Sequence, residues 1–129
     1  MNDPIASALS KIDTAVKRGK NQVVIYGHSQ QLKTIFSLLQ EHQYLGSFEE
    51  MIDRKGNYLI VNLLHGSLNK VGAIKPRYPV KVVELEKFEK RYLPSKDFGF
   101  LIVSTSKGMM TNAHARKAGL GGVLVAYCY

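Results

Sequence analysis

Five consecutive residues, Ser104-Thr105-Ser106-Lys107-Gly108, put three hydroxyls, one ammonium and a glycine on a single stretch of chain. Hydroxyls both donate and accept, the ammonium adds charge, and glycine lets the backbone come close, so the set suits phosphate and ribose oxygens. The stretch lacks the G-x-x-x-x-G-K-[ST] spacing of a nucleotide-binding loop, which removes that reading. An ordinary polar connector has the same composition, so the pattern gains weight only from what surrounds it.

Other chemistries lack their residues. His28, His42, His65 and His114 are scattered without H-x-x-x-H or C-x-x-C spacing, so no metal site is expected. A nucleophile needs a base and an orienting carboxylate, and nothing in the chain ties Ser106 to His114 or gives Cys128 such partners. Glu49 and Glu50 alternate across a strand and so cannot form a close acid/base pair. The expectation is a protein that is not an enzyme and carries no cofactor; a small phosphotransferase or nuclease built on the serine-rich stretch is the enzymatic alternative.

The elements that must position these residues can be read from caps and spacing. Asp3 followed by Pro4 starts a helix whose apolar positions are Ile5, Ala8, Leu9, Ile12 and Val16, with Lys17-Arg18-Gly19-Lys20 at its end. Gln22 to Tyr26 is a β-branched strand, and after Gly27-His28 a cap at Ser29 opens a second helix through Leu32, Ile35, Phe36 and Leu39, with Gly46 closing that segment. Phe48 to Asp53 and Tyr58 to Leu64 flank Arg54-Lys55-Gly56-Asn57, the spacing of a β-hairpin.

Residues 66–79 hold Gly66, Gly72, Pro76 and Pro79, which mark a connection between two subdomains. Val80 to Val83 suits a strand, and the charge-interleaved run from Glu84 to Leu93 reads as a short helix with solvated charges, stopped by Pro94. Phe98 to Ser104 is a strand, Ser104 to Gly108 a loop, and Thr111 caps a helix through Arg116-Lys117 that ends at Gly119. Val123 to Tyr129 is the last strand. The fold class is α+β: an N-terminal α-β-α-β-β subdomain (residues 1–65) packed against a smaller, mostly-β C-terminal subdomain (80–129).

Charge narrows the partner. The chain has 18 basic and 10 acidic residues, a formal net charge of +8, which suits a polyanion. Residues 1–50 carry five of each sign, whereas 51–129 carry thirteen basic and five acidic, so the excess lies in the later part. A single cysteine, no apolar run approaching 18 residues and no leader predict a soluble intracellular protein without membrane attachment.

Three stretches resemble the universal small-subunit ribosomal protein number eight, and together they span nearly the whole chain. One is Asp3-Pro4-Ile5-Ala6 with Leu9, Ile12 and Lys17-Arg18-Gly19-Lys20. A second, Leu68-Asn69-Lys70-Val71-Gly72-Ala73-Ile74-Lys75-Pro76-Arg77-Tyr78-Pro79 followed by Leu93-Pro94-Ser95, looks like the archaeal and eukaryotic branch. The third and most specific runs from Gly99-Phe100-Leu101-Ile102-Val103 through Ser104 to Thr111 and on to Ala115-Arg116-Lys117-Ala118-Gly119-Leu120-Gly121-Gly122.

The resemblance implies a structural constituent of the small ribosomal subunit that binds a helical junction in the central domain of its ribosomal RNA and supports assembly. Its partners would be that RNA and neighbouring small-subunit proteins, in a cytoplasmic or an organellar ribosome. Carried over by position, Ser104, Thr105, Ser106, Lys107 and Gly108 match the RNA-gripping loop, Gly121 and Gly122 its neighbouring glycines, and Ser29, Gln30 and Lys33 a second RNA-facing helix start. Lys75, Arg77 and Tyr78 join the candidates because a basic pair beside an aromatic suits a phosphate and an exposed base. The chain departs from the family pattern at Asn112, where an acidic residue is common, and at Cys128 between two tyrosines. A non-ribosomal RNA chaperone or regulator using the same surface is the competing reading.

Overall fold

The computed structural model describes residues 4–26, 30–54, 56–64, 66, 68–75, 77–95 and 98–129. Asp3 and Ser29, the expected helix caps, lie outside the described residues, as do Gly27, His28, Lys55, His65 and Pro76. The chain divides into two compact units, residues 1–71 and 72–129.

In the first unit, α1 (Pro4–Lys17) buries Ile5, Ala8, Leu9, Ile12 and Ala15 along one face, the stripe that spacing of three and four residues produces. Gly19 ends it in the left-handed region (φ 70°), and the Lys20 amide returns to the Ala15 carbonyl at 3.0 Å. After β1 (Gln22–Tyr26), α2 (Gln30–Glu41) buries Leu32, Ile35, Phe36 and Leu39. Truncating a side chain as buried as Phe36 costs roughly 3 to 5 kcal/mol.

Gly46 does not close this segment, contrary to expectation. Gln43 takes the left-handed conformation instead (φ 63°), and the Tyr44 amide reaches back to the Leu39 carbonyl at 2.8 Å. Gly46 lies within β2 (Leu45–Asp53), at a register shift between Leu45 and Phe48, where a Cβ would stand 3.1 Å from the Asn62 carbonyl oxygen. With β3 (Gly56–Leu63) these strands form an antiparallel sheet in the order β1-β3-β2, and the hairpin closes at the Asp53 and Gly56 pair.

The second sheet has five strands. β4 (Val71–Ala73), β8 (Gly122–Cys128), β6 (Phe100–Thr105) and β7 (Gly108–Thr111) lie in that order, and β5 (Pro79–Val80) also pairs with β8. Val80 to Val83 is therefore not one strand. The Glu84 carboxylate accepts the Lys81 amide at 2.9 Å and turns the chain into a 3-10 segment, Val82–Glu84, that leads into α3 (Leu85–Tyr92). The strand expected from Phe98 begins only at Phe100, because Gly99 has φ 87° and packs its Cα against the Cys128 carbonyl. α4 (Asn112–Ala118) follows the plan: Thr111 Oγ1 accepts the His114 amide at 3.2 Å, and Gly119 closes the helix in the left-handed region. Ile74, Leu85, Leu101, Val103, Ala115 and Leu124 are core members of this unit.

Candidate nucleic-acid interface

The hydroxyl-rich stretch is a tight hairpin and not an open loop. β6 runs on through Ser104 and Thr105, β7 starts at Gly108, and the register pairs Thr105 with Gly108, which leaves Ser106 and Lys107 as the turn. Of the five residues only Gly108 has positive φ (111°). A Cβ there would meet open space, so glycine answers to the backbone conformation alone.

The three hydroxyls have separate duties. Thr105 Oγ1 donates to the Gly108 carbonyl at 2.8 Å and accepts the Lys107 amide at 3.1 Å, so it braces the turn from inside. Ser104 is half-buried in a central strand, between Met109 of β7 and Val123 of β8. Ser106 and Lys107 stand exposed at the tip. The hairpin thus presents one hydroxyl and one ammonium on a turn that a third side chain holds in shape.

Gly121 and Gly122 serve chain packing. A Cβ on Gly121 would sit 2.5 Å from the Val80 carbonyl oxygen, and one on Gly122 would sit 2.2 Å from that of Ser104. Bare backbone lets β8 pass between β5 and β6 at the root of the hairpin, a long-range reason that a two-residue motif cannot display.

Tyr78 is half-buried, with its ring 5.6 Å from that of Phe88 and its carbonyl accepting the Leu124 amide at 3.0 Å. The residue offered to a base from sequence thus packs partly against the core of this unit. Lys75 and Arg77 are exposed on either side of the undescribed Pro76. In the first unit, Gln30 is the exposed first residue of α2, and Lys33 is paired with Glu50 at 3.0 Å. Both partners of that pair are partly exposed, so it contributes at most about 1 kcal/mol.

Glu89 and Asn112, which were not site candidates, organise the ground beneath the hairpin. Glu89 is 6% exposed, although the run around it was expected to be a solvated face. Its Oε1 accepts Asn112 Nδ2 at 2.7 Å and also the Arg116 guanidinium, while Asn112 Oδ1 accepts the Leu101 amide at 3.0 Å. Asn112, itself 7% exposed, therefore ties the start of α4 both to α3 and to the strand that carries the hairpin. Glu89 lies one helical turn past buried Leu85 and beside buried Phe88, which is the signal that places it on the inward stripe. Asn112 faces this carboxylate with an uncharged amide.

The second unit carries ten basic and four acidic residues, the first unit eight and six. Among the described residues no group of three or more His, Cys, Asp and Glu is placed to hold a metal ion, and no helix is long and apolar enough to cross a membrane. The family model of ribosomal protein S8 matches residues 3–129.

Proposed function

Since the chain belongs to the ribosomal protein S8 family, a small-subunit ribosomal protein that binds ribosomal RNA, we propose that it grips a helical junction in the central domain of that RNA through the β6–β7 hairpin and supports subunit assembly. The observation that carries this reading is the braced turn: Thr105 fixes the backbone so that the Ser106 hydroxyl and the Lys107 ammonium project from a defined position.

RNA helices bury their base edges in a deep, narrow major groove and leave ribose hydroxyls and phosphates accessible on the shallow side. Ser106 donates to and accepts from such oxygens, and Lys107 meets a phosphate. Lys75 and Arg77 add phosphate contacts from the basic second unit. In the first unit, Gln30 and Lys33 offer a further RNA-facing surface at the start of α2, and Ser29 lies outside the described residues. Tyr78 acts through packing. The role is structural and not catalytic, the setting is the cytoplasmic ribosome, and the Leu68 to Pro79 and Leu93-Pro94-Ser95 stretches favour the archaeal and eukaryotic branch.

Crosslinking the chain in cells and sequencing the attached RNA tests the proposal. Reads should converge on one junction in the central domain of small-subunit RNA. Reads spread over messenger RNAs, with the chain sedimenting apart from small subunits, would replace this reading with that of a free-standing regulator.

A further inference from the structure

The three-stranded sheet of the first unit has one buried face and one open face. Ile25, Leu59, Val61 and Leu63 point inward. Directly opposed residues of an antiparallel pair share a face, and the register sets Gln22 against Asn62, places Ile60 between Val24 and Glu49, and places Tyr58 between Tyr26 and Met51. Asp53, two residues beyond Met51, continues the same side by alternation.

This open face is apolar at its centre and acidic along one edge. Tyr26 is 68% exposed, Met51 38% and Val24 36%, and the Tyr26 and Tyr58 rings pair at 5.4 Å. Its charged members are Glu49 and Asp53, and no lysine or arginine stands among the paired residues. One Asp53 oxygen already accepts the Arg54 amide at 2.6 Å, which holds the carboxylate at the hairpin end. Glu50 points to the other side, toward Lys33.

Exposed aromatic rings on a sheet are a stacking platform for single-stranded RNA when cations surround them. Among the paired strand residues the charge has the wrong sign for a polyanion, in a chain whose net charge is +8, and the nearest described cation in sequence, Arg54, stands beyond Asp53 at the hairpin turn. Carboxylates beside tyrosine faces instead match a guanidinium, which stacks on a ring and pairs with a carboxylate at the same time. We infer that this face docks a basic, arginine-bearing segment of another protein, with the partner's apolar side chains on Val24, Met51 and Ile60 and its guanidinium groups on Tyr26, Tyr58, Glu49 and Asp53. The inference is independent of the RNA-binding hairpin and stands or falls separately from it.

The test is an amide chemical-shift titration of the full chain with a short extended peptide of alternating arginine and valine, beside a matched peptide with glutamate for arginine, oligouridine, and a sedimentation run of the chain alone. The arginine peptide should shift the amides of Val24, Tyr26, Glu49, Met51, Tyr58 and Ile60, and the glutamate peptide should not. Tyr26→Ala should weaken the peptide about three-fold, the loss expected for one exposed cation–π contact. Glu49→Lys should weaken it further. Both variants should bind ribosomal RNA as the parent does. Oligouridine shifting the same amides would make the face an RNA platform and overturn the inference. So would a dimer that Tyr26→Ala abolishes, or an arginine-peptide footprint absent from this face. A parent chain with no affinity for ribosomal RNA would sink the RNA-binding proposal and leave the peptide result to decide this one.

Discussion

Asn112→Asp replaces one atom and should be among the most disruptive single changes in the chain. Asn112 accepts the Leu101 amide and donates to Glu89, and both side chains are buried. The aspartate keeps the first bond and loses the second, a charge-assisted bond worth roughly 1.5 to 3 kcal/mol. It also sets a second carboxylate against Glu89, a repulsion of about 4 kcal/mol at 4 Å and an effective dielectric of 20. Arg116 already pairs with Glu89 and offsets part of that repulsion, so the expected net loss is about 3 to 5 kcal/mol. Urea unfolding at neutral pH reads it as a lower midpoint with an unchanged slope. Adding Glu89→Gln restores a donor and leaves one negative charge for Arg116, so the double variant should recover more than half of the loss, while Glu89→Gln alone costs about 1 kcal/mol as a weakened ion pair. If Asn112→Asp stayed within about 0.5 kcal/mol of the parent, or if the two changes simply added, the cluster would not be the coupled unit its geometry describes.

Thr105→Val removes the hydroxyl that makes two bonds across the turn, and it should cost about 1 to 2 kcal/mol and speed hydrogen exchange at the Lys107 amide. Burial pushes the Cys128 thiol well above its usual range, against a smaller opposing effect of its hydrogen bond with the Phe100 backbone. The folded chain should therefore resist thiol reagents until it unfolds. Because the unfolded thiol ionises near pH 8.5 and the folded one stays protonated, stability should fall above that pH by up to about 1.4 kcal/mol per unit, a component that Cys128→Ala removes. Lys75→Ala with Arg77→Ala should lower RNA affinity and leave the thermal midpoint nearly unchanged, whereas a large stability loss with intact affinity would make these residues packing elements.

What was legible in the sequence was local. The Gly19 and Gly119 stops, the Thr111 cap and the apolar stripes of α1 and α2 are encoded within one or two helical turns, and the structure has each of them except that Ala15, not Val16, completes the buried face of α1. β4 and β7 were missed, and β5 was given the wrong extent, because strands of two to four residues exist only through their partners. The hydroxyl-rich stretch was read as a loop from its composition, yet cross-strand pairing carries it to within two residues of closure. Ser106 and Lys107, two of its residues, stand exposed at the turn. Glu89 and Asn112 escaped because charge alternation suggests solvent for the one, and nothing near the other reveals a partner 23 residues away. Gln43, an unfavourable residue for left-handed backbone, took a role that composition assigned to Gly46.

The central claim is that the hairpin tip grips RNA, and a binding titration against the junction and a scrambled duplex of equal length, at several salt concentrations between about 50 and 200 mM, tests it most directly. The parent should prefer the junction, and its log affinity should fall by about 0.7 to 0.9 per neutralised phosphate. Lys107→Ala should weaken both RNAs alike and make the salt slope shallower by about one contact. Ser104→Ala with Ser106→Ala should lower the preference for the junction by roughly 1 to 3 kcal/mol for each buried bond lost, with folding intact. A flat salt response, or full discrimination in the serine variant, would contradict the account and move specificity to Gln30 and Lys33.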